Sequence, residues 1–195
     1  MQQVYEQLIQ PLLDKGFGSV DGWFSGEEIA ALRQVLLERY QKDEFHQAGI
    51  GQHYQYQRKK RIRGDQIKWI AANSPIAIEQ HFLKQVNDFI DYLNRTCFAG
   101  IRNSEFHYAV YEPGTFYKRH SDQFNRDDRR RFSMVLYLHE NWNPGDGGEL
   151  IIYGQENHCI EPLPGRIVFF SSELEHEVLR SESQRMSLTG WLRSN

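Results

Sequence analysis

Phe106-His107-Tyr108-Ala109-Val110-Tyr111-Glu112-Pro113-Gly114 opens the part of the chain whose pattern decides the fold: a short β-rich run closed by a turn signal. Similar runs follow at 132–138, 149–153, 166–170 and 186–192. Asn143-Pro144-Gly145-Asp146-Gly147-Gly148 and Pro162-Leu163-Pro164-Gly165 punctuate them with residues that turn the backbone. Several short strands at this spacing predict a double-sheet jelly roll. Gly147 and Gly148 are open to two readings at this point, a tight turn and nothing more, or a turn that serves a site.

Working outward toward the N-terminus, the pattern changes period. Ser25-Gly26-Glu27-Glu28 is a capping box, and Ile29, Leu32, Leu36 and Tyr40 recur at helical spacing, so a helix is predicted over 26–42. Ser74 as N-cap and Pro75 in the first turn introduce a second helix, with Ile78, Phe82, Val86, Phe89 and Leu93 as its apolar stripe. No repeat, linker or low-complexity tract separates the two halves. The expected class is α+β, a jelly-roll core over 104–193 braced by a mainly helical 1–103, in one domain spanning 1–195. A chain of 195 residues with 39% hydrophobic content is long enough for such a core.

A net charge of −3 and a pI near 6.2 give no global attraction to nucleic acid or an anionic membrane. No apolar run reaches the length of a membrane span, and Met1-Gln2-Gln3-Val4-Tyr5-Glu6 lacks the pattern of a signal peptide. The expectation is a cytoplasmic protein in which Cys97 and Cys159 are reduced thiols.

The chemistry concentrates in His120-Ser121-Asp122, a distal His176 and then Arg185. His120 and Asp122 follow a strand containing Tyr117, and His-x-Asp on extended backbone puts alternate side chains on one face. Two imidazoles and one carboxylate on one face of a metal leave positions open, as in non-haem Fe(II) oxygenases. A guanidinium fork beyond such a site can hold the far carboxylate of 2-oxoglutarate. Arg185 shares its strand parity with Ser187, Thr189 and Trp191, which makes one polar-lined face. His46, His53, His81, His107, His139 and His158 have no such partners and are expected to be structural or surface residues.

The ordered set His120, Asp122, Tyr137, Gly147-Gly148, His176-Glu177-Val178, Arg185 and Trp191 resembles the catalytic core of the 2-oxoglutarate and Fe(II)-dependent oxygenases. More narrowly, it resembles the prolyl 4-hydroxylase group that contains the hypoxia-inducible-factor prolyl hydroxylases and their bacterial relatives. Ile62-Arg63-Gly64-Asp65 with Ile67, Trp69 and Ile70 is similar to a segment that closes over the active site in that group. The resemblance covers 58–192. It implies Fe(II) held by His120, Asp122 and His176, and 2-oxoglutarate anchored by Arg185 and Tyr137. Tyr111, Leu150, Thr189 and Trp191 are implied as further pocket residues, and a loop near 52–70 carrying Arg63, Asp65 and Trp69 as the cover for a peptide. It also implies O2 as oxidant, ascorbate as reductant, succinate and CO2 as products, and a protein proline as target, with elongation factor Tu as the specific guess. The turns after Tyr111 and before Leu150 are each about a residue shorter than in the eukaryotic pattern, which leaves those two matches loose.

Other readings stay open here. The same oxygenase chemistry suits another protein side chain, a free amino acid or an alkylated base, and a non-catalytic iron- or oxygen-sensing module has the same ligands. Arg58-Lys59-Lys60-Arg61-Ile62-Arg63 raises nucleic-acid binding, but it lacks interleaved aromatics and runs into Asp65 as counter-charge. No nucleic acid and no membrane partner is therefore expected. Tyr54 and Tyr56 are either an anchor for the loop or plain packing residues, and Arg126-Asp127-Asp128-Arg129-Arg130-Arg131 reads as a solvated loop near the mouth of the site.

Overall fold

The computed structural model describes residues 1–49, 62–123 and 129–194. Helix α1 (Gln2–Lys15) buries Tyr5, Leu8 and Ile9 and stops at Gly16, whose left-handed φ of 75° lets its N–H reach back to Leu12 O. The start of this helix carries no sequence signal, because Met1 offers no capping side chain, and Pro11 lies inside it. Helix α2 (Gly26–Gln41) has the expected capping box: Glu28 N–H donates to Ser25 Oγ and Ser25 N–H to Glu28 Oε2. Helix α3 (Ala77–Cys97) starts later than expected. Its N-cap is Ile76, not Ser74; Ser74 Oγ accepts from Ile76 N–H and donates to the buried carboxylate of Glu79. Glu79 also pairs with Arg39 at 2.8 Å, tying α2 to α3.

The strands form two antiparallel sheets. The major one runs β1 (Phe17–Val20), β9 (Ile167–Ser171), β6 (Arg130–Tyr137), β11 (Arg185–Arg193), β4 (Asn103–Tyr111), β3 (Gln66–Trp69), β2 (His46–Gln47). The minor one runs β5 (Tyr117–His120), β10 (His176–Val178), β7 (Leu150–Tyr153), β8 (Asn157–Ile160). This is the α+β double-stranded β-helix anticipated above, with one adjustment. The first half is not only helical, since β1, β2 and β3 join the major sheet. Gln66–Trp69 is a sheet strand paired with β4, where a loop was expected. Residues 50–61, with Tyr54, Tyr56 and the basic run from Arg58 to Arg61, lie outside the described residues, as do 124–128 with Arg126, Asp127 and Asp128.

Strand alternation divides the interior in two. Met186, Leu188 and Leu192 of β11 and Met134 and Leu136 of β6 face the helices, packing with Leu32, Phe82 and Phe89. Each such side chain, fully buried, contributes ~1.5–3 kcal/mol. The opposite parity, Val135 and Tyr137 with Ala109 and Tyr111 of β4, meets Leu150, Ile152 and Val178 of the minor sheet. The site occupies this second interior. Among the described residues no helix is long and apolar enough to cross a membrane, and Cys97 and Cys159 are free and exposed.

Candidate active site

His120 ends β5, His176 begins β10, and the two are cross-strand partners, which sets their rings 4.3 Å apart. Asp122 reaches them differently from the sequence expectation. The strand stops at His120 and the chain bends, with Asp122 N–H donating to Ser172 O at 3.1 Å, so a bend rather than strand alternation brings the carboxylate round. His120 Nε2 lies 3.7 Å from Asp122 Oδ1 and His176 Nε2 3.5 Å from Oδ2; the donor atoms fall within 4.8 Å of one another.

The donors suit a divalent cation. His120 Nδ1 lies 2.7 Å from Lys118 O and His176 Nδ1 3.0 Å from Leu174 O, contacts that place the proton on Nδ1 and turn each Nε2 lone pair inward. Burial pulls the His176 imidazole below its ordinary pKa against the opposing pull of Asp122, so it is neutral, as a ligand must be. Burial alone would raise the Asp122 carboxyl; His176, His120 and the Ser133 hydroxyl outweigh it and hold it well below the usual carboxylate range. Ser133 Oγ donates to Asp122 Oδ2 at 2.7 Å and lies 2.8 Å from Ser172 Oγ, both serines being fully buried. Two imidazoles and a carboxylate with this geometry match the facial Fe(II) set.

Around His120 the flat groups are stacked. The Tyr117 ring lies 3.5 Å from the His120 ring at 17°, and the Arg63 guanidinium sits 4.2 Å over Tyr117. Burial pushes the Tyr117 hydroxyl up to about 12 against the pull of Arg63. Arg63 and Asp65 form a bidentate pair at 2.6 and 2.5 Å, and Arg63 bridges β5 at Tyr117. These two residues thus form part of the cavity wall.

Arg185 is 2% exposed and lies between the rings of Tyr111 and Tyr137, 4.9 Å from each. Its Nε donates to Gly148 O at 2.9 Å, and no carboxylate pairs with it among the described residues. A buried guanidinium without a counter-charge is costly, so this is a seat for an anion. The Tyr137 hydroxyl beside it is buried and, apart from its closeness to Arg185, has no partner among the described residues, which leaves its O–H as a donor for the same anion. These features fit the distal carboxylate of 2-oxoglutarate. Gly148 has φ +76°, and a Cβ there would stand 2.8 Å from Arg185 Cδ, so the paired glycines both turn the chain and leave room for the arginine.

One cavity of about 660 Å³ joins these parts. Its lining includes His120, Asp122, His176, Arg185, Tyr111, Leu150, Thr189 and Trp191, together with Arg63, Asp65 and Trp69. Tyr137, fully buried, is the one expected residue outside that lining.

A model of the 2OG-Fe(II) oxygenase superfamily matches residues 106–193. The human and mouse proteins named Prolyl hydroxylase EGLN3 are 34% and 33% identical over 146 residues, 68% of this chain, and the chain spans 59% of their length. A Pseudomonas putida prolyl-4-hydroxylase is 34% identical, with 98% of this chain and 99% of that one superposed at a TM-score of 0.87. The chain belongs to the prolyl hydroxylase group of the 2OG-Fe(II) oxygenases. A prolyl hydroxylase from Trichoplax adhaerens, solved with a hypoxia-inducible-factor oxygen degradation domain peptide fragment, superposes at 0.89 with 26% identity over 99% of this chain and 90% of that one.

Within this prolyl hydroxylase-group fold the sequence reading missed several cavity residues. His107, expected to be structural or on the surface, is 2% exposed and faces the cavity between Trp69 and Trp191. The signal was present: His107, Ala109 and Tyr111 share one parity of β4. Arg130 was expected in a solvated loop; it lies on β6, pairs with Glu105 and sits 3.5 Å over the Trp191 ring, again lining the cavity. Ser133 precedes Val135 and Tyr137 on one parity of β6, but only the fold brings it to Asp122.

Proposed function

We propose that this chain is a 2-oxoglutarate- and Fe(II)-dependent dioxygenase that hydroxylates a prolyl residue in a protein at C4. One oxygen atom of O2 enters the C–H bond, the other enters succinate, and CO2 leaves. The observation that carries the reading is a buried Arg185, without a carboxylate partner among the described residues, in the same cavity as His120, Asp122 and His176.

Fe(II) with bound 2-oxoglutarate supplies the oxidising power when present. The chain's own residues do the rest. His120, Asp122 and His176 hold the metal, each imidazole fixed by a backbone carbonyl and the carboxylate by Ser133. Arg185 and Tyr137 orient the co-substrate by its distal carboxylate, with Tyr111, Leu150 and Thr189 as its walls. Trp191, Trp69, Arg63 and Asp65 border the space for the target and exclude water from it. No side chain has to act as general base. Residues 104–193 serve as the catalytic core and 1–103 as its support, in one unit.

The protein target is the finer part of the proposal. Elongation factor Tu is put forward as the specific substrate, in line with the likeness to bacterial prolyl hydroxylases, and ascorbate as the reductant that keeps iron ferrous. Mass spectrometry of a lysate incubated with the protein, iron, 2-oxoglutarate and ascorbate should find added oxygen on proline. Oxidation of other residues only, or of none, would refute the prolyl assignment. Arg185→Ala should weaken 2-oxoglutarate about 10- to 100-fold, the value of a lost charge-assisted fork; unchanged affinity removes Arg185 from the anchor.

A further inference from the structure

We propose that His107 is a specificity-determining residue, a neutral imidazole that presents Nε2–H to an uncharged acceptor oxygen on the backbone of the bound substrate. The inference rests on the peptidyl reading above and names a contact for it.

His107 is at the position on β4 opposite Thr189 of β11 and Trp69 of β3. Its ring stands 4.9 Å from the Trp69 ring and 5.4 Å from that of Trp191, and the two indoles are 6.1 Å apart, so the imidazole cannot swing without displacing one of them. Nδ1 is sealed from solvent and has no hydrogen-bond partner among the described residues. A buried N–H without an acceptor is costly, so the favoured tautomer leaves Nδ1 bare and carries the proton on Nε2, toward the cavity that the residue lines. Trp69 and Trp191 give this part of the cavity flat apolar sides, and Trp191 Nε1 is a second buried donor without a partner among the described residues.

The charges acting on His107 are Asp65 and Asp122, which favour its protonation, and Arg63 and Arg130, which oppose it. With two of each sign, burial decides, and it pushes the imidazole down to about 3. A group neutral at physiological pH offers one donor and no positive charge. It therefore suits a peptide carbonyl and gives no advantage to a carboxylate, which favours a peptide segment over a free amino acid in this part of the cavity. Among the described residues no carboxylate orients Nδ1 as in a proton-transfer pair, which agrees with a binding role and not a base.

The test uses the protein loaded with Fe(II) and 2-oxoglutarate under anaerobic conditions, with a synthetic peptide library fixed at a central proline as probe. His107→Leu fills the same apolar slot without a donor, and His107→Gln restores one. The expected result is about five- to tenfold weaker peptide binding in the leucine variant, with recovery by glutamine and unchanged 2-oxoglutarate and metal affinities. Equal peptide binding by the leucine variant, or a parallel loss of all three affinities, overturns the proposal. Admitting O2 separates the two readings: peptide that binds through His107 but is not oxidised at proline refutes the prolyl assignment and leaves this contact standing. No peptide binding by the unsubstituted protein refutes both.

Discussion

Replacing Ser133 with alanine should loosen the candidate metal site while leaving His120, Asp122 and His176 in place. The Ser133 hydroxyl donates to Asp122 Oδ2 at 2.7 Å, and the pair is closed off by Ser172 at 2.8 Å, with both serines at 0% exposure. A hydrogen bond to a charged group is worth ~1.5–3 kcal/mol, and the buried position gives water little chance to replace it. Stability of the metal-free protein should fall by about that amount. Freed of its donor, the carboxylate can rotate, and loss of such an outer partner typically costs about 10- to 100-fold in metal affinity. Anaerobic calorimetric titration with Fe(II) or Mn(II) measures the second effect, and urea unfolding the first. Ser133→Thr keeps the hydroxyl and should restore most of the affinity. If Ser133→Ala binds metal as tightly as the unsubstituted protein, the claim that Ser133 fixes Asp122 is wrong.

Other perturbations separate the remaining parts. Gly148→Ala forces an L side chain to φ +76° and 2.8 Å from Arg185 Cδ; it should lower stability by ~1–2 kcal/mol and raise the KM for 2-oxoglutarate, whereas a normal KM would mean that Arg185 is positioned without this turn. Asp65→Asn leaves the Arg63 charge buried without its partner and should cost ~3–5 kcal/mol, while joint replacement by Asp65→Leu and Arg63→Met should cost far less. A calorimetric melting scan in which the single change is the milder one would contradict a buried pair. Burial lowers His107 to about 3 and His139 to about 4, so the folded state refuses protons that the unfolded chain accepts below about 6.5. Stability should accordingly fall on acidification below that pH, each histidine contributing ~1.4 kcal/mol per pH unit. His107→Leu should make the acid slope shallower by that amount in urea titrations between about pH 6 and 4.5; an unchanged slope would place His107 in contact with water.

What the sequence discloses depends on how local the cause is. Period-2 runs and turn residues suffice for β4, β6, β7, β9 and β11, and the Ser25 capping box for α2, because each is specified within a few residues. Helix α1 escapes because its ends carry no side-chain cap and Pro11 interrupts its pattern. Strands β1, β2 and β3 are short and take strand form along a neighbour that offers hydrogen bonds: β3 lies along β4, β2 along β3 and β1 along β9. In the candidate site, His120, Asp122, His176 and Arg185 stand out by residue type and order. Ser133, Ser172 and His107 do not, since a serine or a lone histidine acquires its meaning from what faces it across two sheets. The bend at Asp122 illustrates the same limit: His-x-Asp suggests strand alternation, but the tertiary bond to Ser172 O sets the geometry.

The Ile62–Arg63 segment has a mechanical consequence. Lys118 N–H donates to Ile62 O at 2.8 Å and Gly64 N–H to Phe116 O at 2.9 Å, so the segment lies along the outer side of β5, the last strand of the minor sheet. An uncovered strand edge is a template on which another chain can pair and aggregate. Here the edge that carries His120 is the one that is clasped, while the described sheet ends at its other side with β8, a four-residue strand carrying Asn157 and His158. Pulling the clasp away would bare a β edge and unseat the Arg63 plane from Tyr117 in one movement. Damage to this seam should therefore register as a loss of solubility together with a loss of any affinity for metal at His120.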